Sequence, residues 1–200
     1  MPNIFPKEKF KYGDFMTKTE NRVCHTQLAG SLDNRLRRWI HNPSKILKDY
    51  IFEGMTVLDV GCGPGLFTLE MAHKVGKSGR VLAADLHQEM LDIVKNKVLN
   101  TELQNRISFI KCSNNSLNIN SKFDFGLAFY MVHEVPDKDR FFKELKLQMN
   151  AHAKILIVEP KIFHVSKKDF NEMKLIAAES GFKIKDGPKV FGSQSVILTN

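Results

Sequence analysis

Long apolar runs are missing from this chain: no stretch approaches the roughly 18 to 20 consecutive apolar residues that a membrane-spanning helix needs. Residues Met1 to Phe10 also lack the apolar centre of a secretory leader, so a cytoplasmic protein is expected. Cysteine is scarce. Cys24, Cys62 and Cys112 cannot all pair and show no C-x-x-C spacing, which argues against a disulfide or zinc framework and predicts no metal site. Proline (7) and glycine (12) are few in 200 residues, which excludes a fibrous or low-complexity chain.

What remains is a globular composition, 42% hydrophobic and 26% charged, of a length that supports one core rather than two. The formal charge of +8 raises the question of a nucleic-acid partner. Only Arg35, Arg37 and Arg38 cluster, however, and the lysines are scattered as on a solvated surface.

Residues 1–30 mix lysines with isolated aromatics (Phe5, Phe10, Tyr12, Phe15) and lead into a helix capped by Ser31 or Asp33 that carries Leu36, Trp39 and Ile40. We expect a helical arm over 1–44, followed by a domain over 45–200. Asn42-Pro43 breaks this helix before a second short one through Tyr50. From Thr56 the pattern alternates: apolar strands at Val57–Val60, Val81–Ala84, Ile107–Ile110, Phe123–Phe129 and Ile155–Val158 are separated by segments of helical period. The helices span Leu66–Val75, the stripe Met90, Leu91, Val94, Val98, and Asp137 to about Met149. Ser166 and Asp169 cap a further helix through Ala178, and a Gly-Pro turn joins two final strands, Phe182–Lys185 and Ser195–Thr199. This order predicts an α/β fold, a doubly wound, mostly parallel sheet with helices on both faces and a hairpin at one edge.

The informative segment is Val57-Leu-Asp-Val-Gly-Cys-Gly-Pro-Gly-Leu66, at the first strand–helix junction, where open parallel sheets bind ligands. Glycines at 61, 63 and 65 let a ligand touch the main chain, and the helix start behind them favours an anionic group. A dinucleotide fingerprint would need glycine at 66, where Leu66 stands. Asp59 in the strand suits a cationic ammonium rather than a pyrophosphate. Asp85, ending the second strand, is placed to accept from ribose hydroxyls; alternatively it caps the helix that follows.

Together with Phe123-Asp-Phe-Gly-Leu-Ala-Phe-Tyr-Met-Val-His-Glu-Val-Pro136, Val158-Glu-Pro160 and Ala178-Glu-Ser-Gly-Phe182, these motifs resemble the ordered motifs of class I S-adenosylmethionine-dependent methyltransferases. The likeness is to the small-molecule branch that includes ubiquinone and menaquinone C-methyltransferases. It implies a Rossmann-like, three-layer α/β/α fold whose seven-stranded sheet has an antiparallel last strand. Asp59, Gly61, Cys62, Gly63, Gly65, Asp85, Leu86, Ser113, Asn114 and Phe129 would then form the S-adenosylmethionine site. Within it, Asp59 would meet the amino group, Asp85 the ribose and Leu86 the adenine. Ser113 and Asn114 stand where the family often has an acidic residue for the adenine amino group. Phe129 and Tyr130 fall where the family's main chain meets the methionine end. The Asn-Pro-Pro-Tyr and Pro-Cys signatures of nucleic-acid methyltransferases are absent from the sequence.

His133 and Glu134 are the titratable candidates beside the acceptor, histidine being able to act as a base near neutral pH. The expected reaction is methyl transfer to a small-molecule acceptor. The resemblance implies that the arm over 1–44 is a lid on the acceptor pocket; alternatives are an RNA or protein methyltransferase using the basic arm as a clamp, and a silent cofactor-binding regulator.

Overall fold

The computed structural model describes residues 40–161 and 165–200. The arm's expected helix and its arginine cluster at 35–38 lie outside the described residues.

The chain enters through a short helix, α1 (Pro43–Leu47), at whose start Asn42 accepts from the Lys45 amide at 3.1 Å. Asn42-Pro43, expected as a break, is thus also a helix start, with proline where its missing N–H costs nothing. Leu47 and Ile51 bury themselves in the same cluster as Val57 and Leu66, so this segment is part of the domain's core.

Seven strands follow: β1 (Thr56–Val60), β2 (Arg80–Asp85), β3 (Ile107–Lys111), β4 (Phe123–Phe129), β5 (Met149–Pro160), β6 (Lys183–Asp186) and β7 (Ser193–Thr199). They form one sheet in the order β3-β2-β1-β4-β5-β7-β6. The pairings of β3-β2-β1-β4-β5 are parallel, whereas β7 runs antiparallel to both β5 and β6, as the resemblance implies. Helices α2 (Leu66–Lys74), α3 (Gln88–Val98), α4 (Lys138–Leu147) and α5 (Lys167–Glu179) complete the alternation.

Strand residues send alternate side chains to opposite faces. Val57, Phe125, Leu127 and Leu156 join one buried cluster with α2 and α3, while Leu58, Ala128, Ile155 and Ile157 join another with α4 and α5. A sheet covered on both faces explains why β5 is apolar at consecutive positions. Its range corrects the sequence expectation at one boundary. The helix expected to reach Met149 ends at Leu147, because Met149 pairs with Phe123 and begins a twelve-residue strand. A side chain buried by either element carries no information about which one owns it.

Helix α5 has the expected capping box, Ser166 Oγ accepting from the Asp169 amide and Asp169 accepting from the Ser166 amide, both at 3.1 Å. Among the described residues no helix is long and apolar enough to cross a membrane.

Candidate active site

Because β2 and β4 flank β1 and the chain reverses its winding there, the carboxyl ends of β1 and β4 border a crevice. The glycine turn sits at that point. Gly61 and Cys62 donate main-chain N–H groups to Ala84 O at 2.8 and 3.1 Å, which pins the turn to the end of β2. Gly61 has φ +69°, and a β-carbon there would lie 2.8 Å from Met131 Cγ, so the post-β4 segment and the turn are in direct contact. At Gly63 (φ +51°) the opposite holds: a β-carbon would meet nothing within 4 Å, and the main chain faces open space.

Asp85 holds this turn. Its Oδ2 accepts from the Gly63 amide at 2.8 Å and its Oδ1 from the His87 amide at 2.8 Å, with His87 Nδ1 3.5 Å away. One carboxylate therefore ties the glycine turn to the start of α3. The N-cap position itself belongs to His87, so Asp85 braces the helix start from two residues before it. Asp59 is 2% exposed and accepts from Thr68 Oγ1 of α2 at 2.6 Å. Burial pushes its carboxyl up to about 7; the Thr68 hydrogen bond opposes this and the Asp85 charge adds to it.

Cys62 turns its thiol into the core, with Sγ 3.6 Å from Gly63 O, and burial carries that thiol well above its usual value. It offers the site no thiolate, and its amide is committed to Ala84 O. Leu86 is half-buried beside Asp85, and its carbonyl accepts from Lys111 Nζ. Ser113 and Asn114 are exposed, one step from Asp85 because the Cys112 amide donates to Asp85 O at 2.9 Å. The Ser113 amide and hydroxyl both donate to Ser116 O, at 2.8 and 3.4 Å, so this turn is held to itself.

Across the crevice, the Phe129 ring packs into the core against Phe67 (4.4 Å) and Tyr130 (4.5 Å), so only its main chain lies at the strand end. Tyr130 takes a left-handed φ of +60°, uncommon without a glycine, and its hydroxyl lies 2.5 Å from Ser193 Oγ and 3.3 Å from His41 Nε2. A 3₁₀ turn, Val132–Glu134, follows and presents His133 to Glu159 at the end of β5.

Glu159 is the residue sequence reading missed. It is 1% exposed; Oε1 accepts from the Val132 and His133 amides at 2.8 and 3.3 Å, and Oε2 lies 2.6 Å from His133 Nδ1. Glu134 is farther off, its Oε1 3.9 Å from His133 Nε2. Burial alone would lower the His133 value, but the hydrogen bond and charge of Glu159, joined by Glu134 and opposed by Lys138, hold it above the usual imidazole range. The only sequence signal for Glu159 was an acid inside an otherwise apolar strand, Val158-Glu-Pro160.

A methyltransferase domain family matches residues 57–150, from β1 through the start of β5. The ubiquinone/menaquinone biosynthesis C-methyltransferase of Shewanella frigidimarina is 28% identical over 107 residues, 53% of this chain and 43% of that protein. The demethylmenaquinone methyltransferase of Lactobacillus johnsonii is 32% identical over 107 residues, 53% and 44% respectively. These matches span less than half of each relative's length. A crystal structure of an S-adenosylmethionine-dependent methyltransferase from Aquifex aeolicus superposes with a TM-score of 0.76 at 26% identity, covering 88% of this chain and 97% of that one. Residues 57–150 thus match a methyltransferase domain, and the chain as described has the fold of a class I S-adenosylmethionine-dependent methyltransferase.

This is an enzyme family, and S-adenosylmethionine is its cofactor. The donor set of this site fits that molecule. A zwitterionic amino acid joined to a ribose asks for a main chain it can approach closely, a buried acid and a second carboxylate one strand away; the open main chain at Gly63, Asp59 and Asp85 offer each.

Proposed function

We propose that this methyltransferase moves a methyl group to a small-molecule acceptor bound on the β4–β5 side of the crevice, with His133 as the base. The observation that carries the reading is the pairing of His133 with a buried carboxylate, opposite a glycine turn braced by Asp85. When bound, S-adenosylmethionine supplies a methyl group on a positively charged sulfur, already activated for displacement.

In this reading Gly61, Cys62, Gly63 and Gly65 present main chain to the methionine and adenosyl portions, Asp59 takes the amino group and Asp85 the ribose hydroxyls. Leu86 packs on the adenine, Ser113 and Asn114 reach its edge, and the Phe129 main chain borders the methionine end. Glu159 fixes the His133 ring so that Nε2 is the nitrogen that takes the acceptor's proton and passes it to solvent. Glu134, 3.9 Å from Nε2, favours the charged imidazolium that results. Relatives named for quinone biosynthesis support a small-molecule acceptor.

A cover on the acceptor side is the role we propose for residues 1–44; in their described part, 40–44, His41 packs edge-on to Phe129 and Tyr130 at 5.3 Å. The test is to incubate the full chain with methyl-labelled S-adenosylmethionine, a metabolite panel and total RNA. Label should enter a small molecule and be lost with Asp85→Ala; label confined to RNA or protein would contradict the proposal.

A further inference from the structure

A cavity of about 300 Å³ lies on the α5 side of the His133–Glu159 pair. Its inner walls are Val165, Phe170 and Met173, all buried, with half-buried Ile176 beside them. His133 and Glu159 line it too, and Lys138, Asp169 and Glu172 supply its charged lining from α4 and α5. Phe170 and Met173 lie on the buried face of α5, and nothing in the glycine-turn motifs points to them.

Three properties limit what this cavity can hold. Its volume stands at the lower end of the range for small-molecule pockets, which suits a single substituted ring and leaves no enclosed room for a long chain. Its lining is divided between apolar side chains, Val165, Phe170, Met173 and Ile176, and charged ones, so a ring packs on the former and is oriented by the polar group it presents to His133. Its charged lining contains three carboxylates, Glu159, Asp169 and Glu172, against Lys138 and His133, so an anionic ligand enters an unfavourable field. A base of imidazole strength also selects the proton it can take: one on a ring-bound oxygen or nitrogen of weak acidity, far more readily than one on an aliphatic alcohol.

We propose that the cavity between the Val132–Glu134 turn and α5 is the acceptor subsite, and that it takes a neutral, compact ring compound presenting one weakly acidic O–H or N–H to His133. This rests on the methyltransferase reading above and adds to it the site and the chemical class. The proton leaves the acceptor for His133 Nε2 while its electron pair stays on the ring heteroatom; Nδ1 remains committed to Glu159.

The test uses the full chain labelled with ¹³C at methionine methyls and saturated with the demethylated cofactor product. Catechol, benzimidazole and benzoate are titrated, with the Met173 signal assigned through Met173→Leu. Catechol or benzimidazole should shift that signal saturably, the two probes separating an O–H from an N–H preference, while benzoate should not. Phe170→Trp, which fills the cavity, should weaken the effect about tenfold and leave product affinity within about twofold. Should that variant fold poorly, Glu172→Lys at the exposed rim serves instead and should let benzoate in. If product binds but no probe moves Met173, or if benzoate binds the unaltered chain as well as catechol does, the subsite is overturned while the methyltransferase reading stands. If the product does not bind at all, both fall.

Discussion

The glycine-turn side of the crevice offers a ligand mostly main chain, while the β4–β5 side offers side chains. On the first, Gly61, Gly63 and Gly65 work by lacking side chains, and Asp85 acts partly by holding two amides in place. On the second, His133 owes its orientation to a carboxylate on another strand, 26 residues away. A site made of main chain must be written as a pattern of absences in contiguous residues. A site made of side chains is written as pairs, and a pair is visible only once it is known which strands are neighbours.

The largest effect is expected where the side-chain half is cut. His133→Ala should lower turnover by about 10²- to 10⁴-fold, the usual contribution of a general base, with cofactor affinity unchanged. A variant that instead lost cofactor affinity with little change in turnover would place His133 in the other half. Glu159→Gln sharpens the point. Replacing the carboxylate by an amide removes the charge that raises His133, so the pH at which turnover rises to half its plateau should move down. In the unaltered enzyme, turnover should rise with pH through a value above 6.5, as the imidazole gives up its proton.

Cutting the main-chain half should cost less. Asp85→Ala is expected to weaken cofactor binding by about 1 to 3 kcal/mol, the cost of leaving hydrogen-bonding groups unpaired, read by calorimetry. Unchanged affinity would reduce Asp85 to a brace for α3.

Asp59 gives a pH signature of its own. Its folded value, about 7, lies above the unfolded 3.8, so the folded state holds the proton more tightly. Its contribution to stability is full below about 3.8 and lost as pH rises toward about 7. Asp59→Asn should flatten the melting temperature across that window, and a profile identical to that of the unaltered chain would contradict the assignment. A cofactor ammonium beside Asp59 would expel the proton, so affinity should increase as pH rises through the same range. The smallest effect belongs to Thr68→Val, which removes one hydrogen bond to Asp59 and should cost about 0.5 to 1.5 kcal/mol of folding stability.

The alternation of apolar runs with helical stripes revealed the strands and helices of a doubly wound sheet, because a strand buried on both faces and an amphipathic helix differ in period. It placed β4 at Phe123–Phe129 and the N-cap of α5 at Ser166, where local chemistry decides the boundary. It extended the α4 helix to Met149, since apolar residues at a helix–strand junction satisfy both patterns. At the site, Asp59 and the glycines stand out in one contiguous motif, and Asp85 at the end of the next strand. Glu159 was not, because an acid in a buried strand announces that it has a partner without saying which. The cavity beside α5 was hidden for a related reason: Phe170 and Met173 fit a core stripe whether they pack against protein or against a ligand.

The account stands on the glycine turn binding S-adenosylmethionine rather than a dinucleotide, and calorimetry on the full chain tests that most directly. Titrated with S-adenosylmethionine and separately with NAD, it should bind the first saturably, with a dissociation constant in about the micromolar range, and not the second. Saturable NAD binding with no response to S-adenosylmethionine would contradict the account at its root.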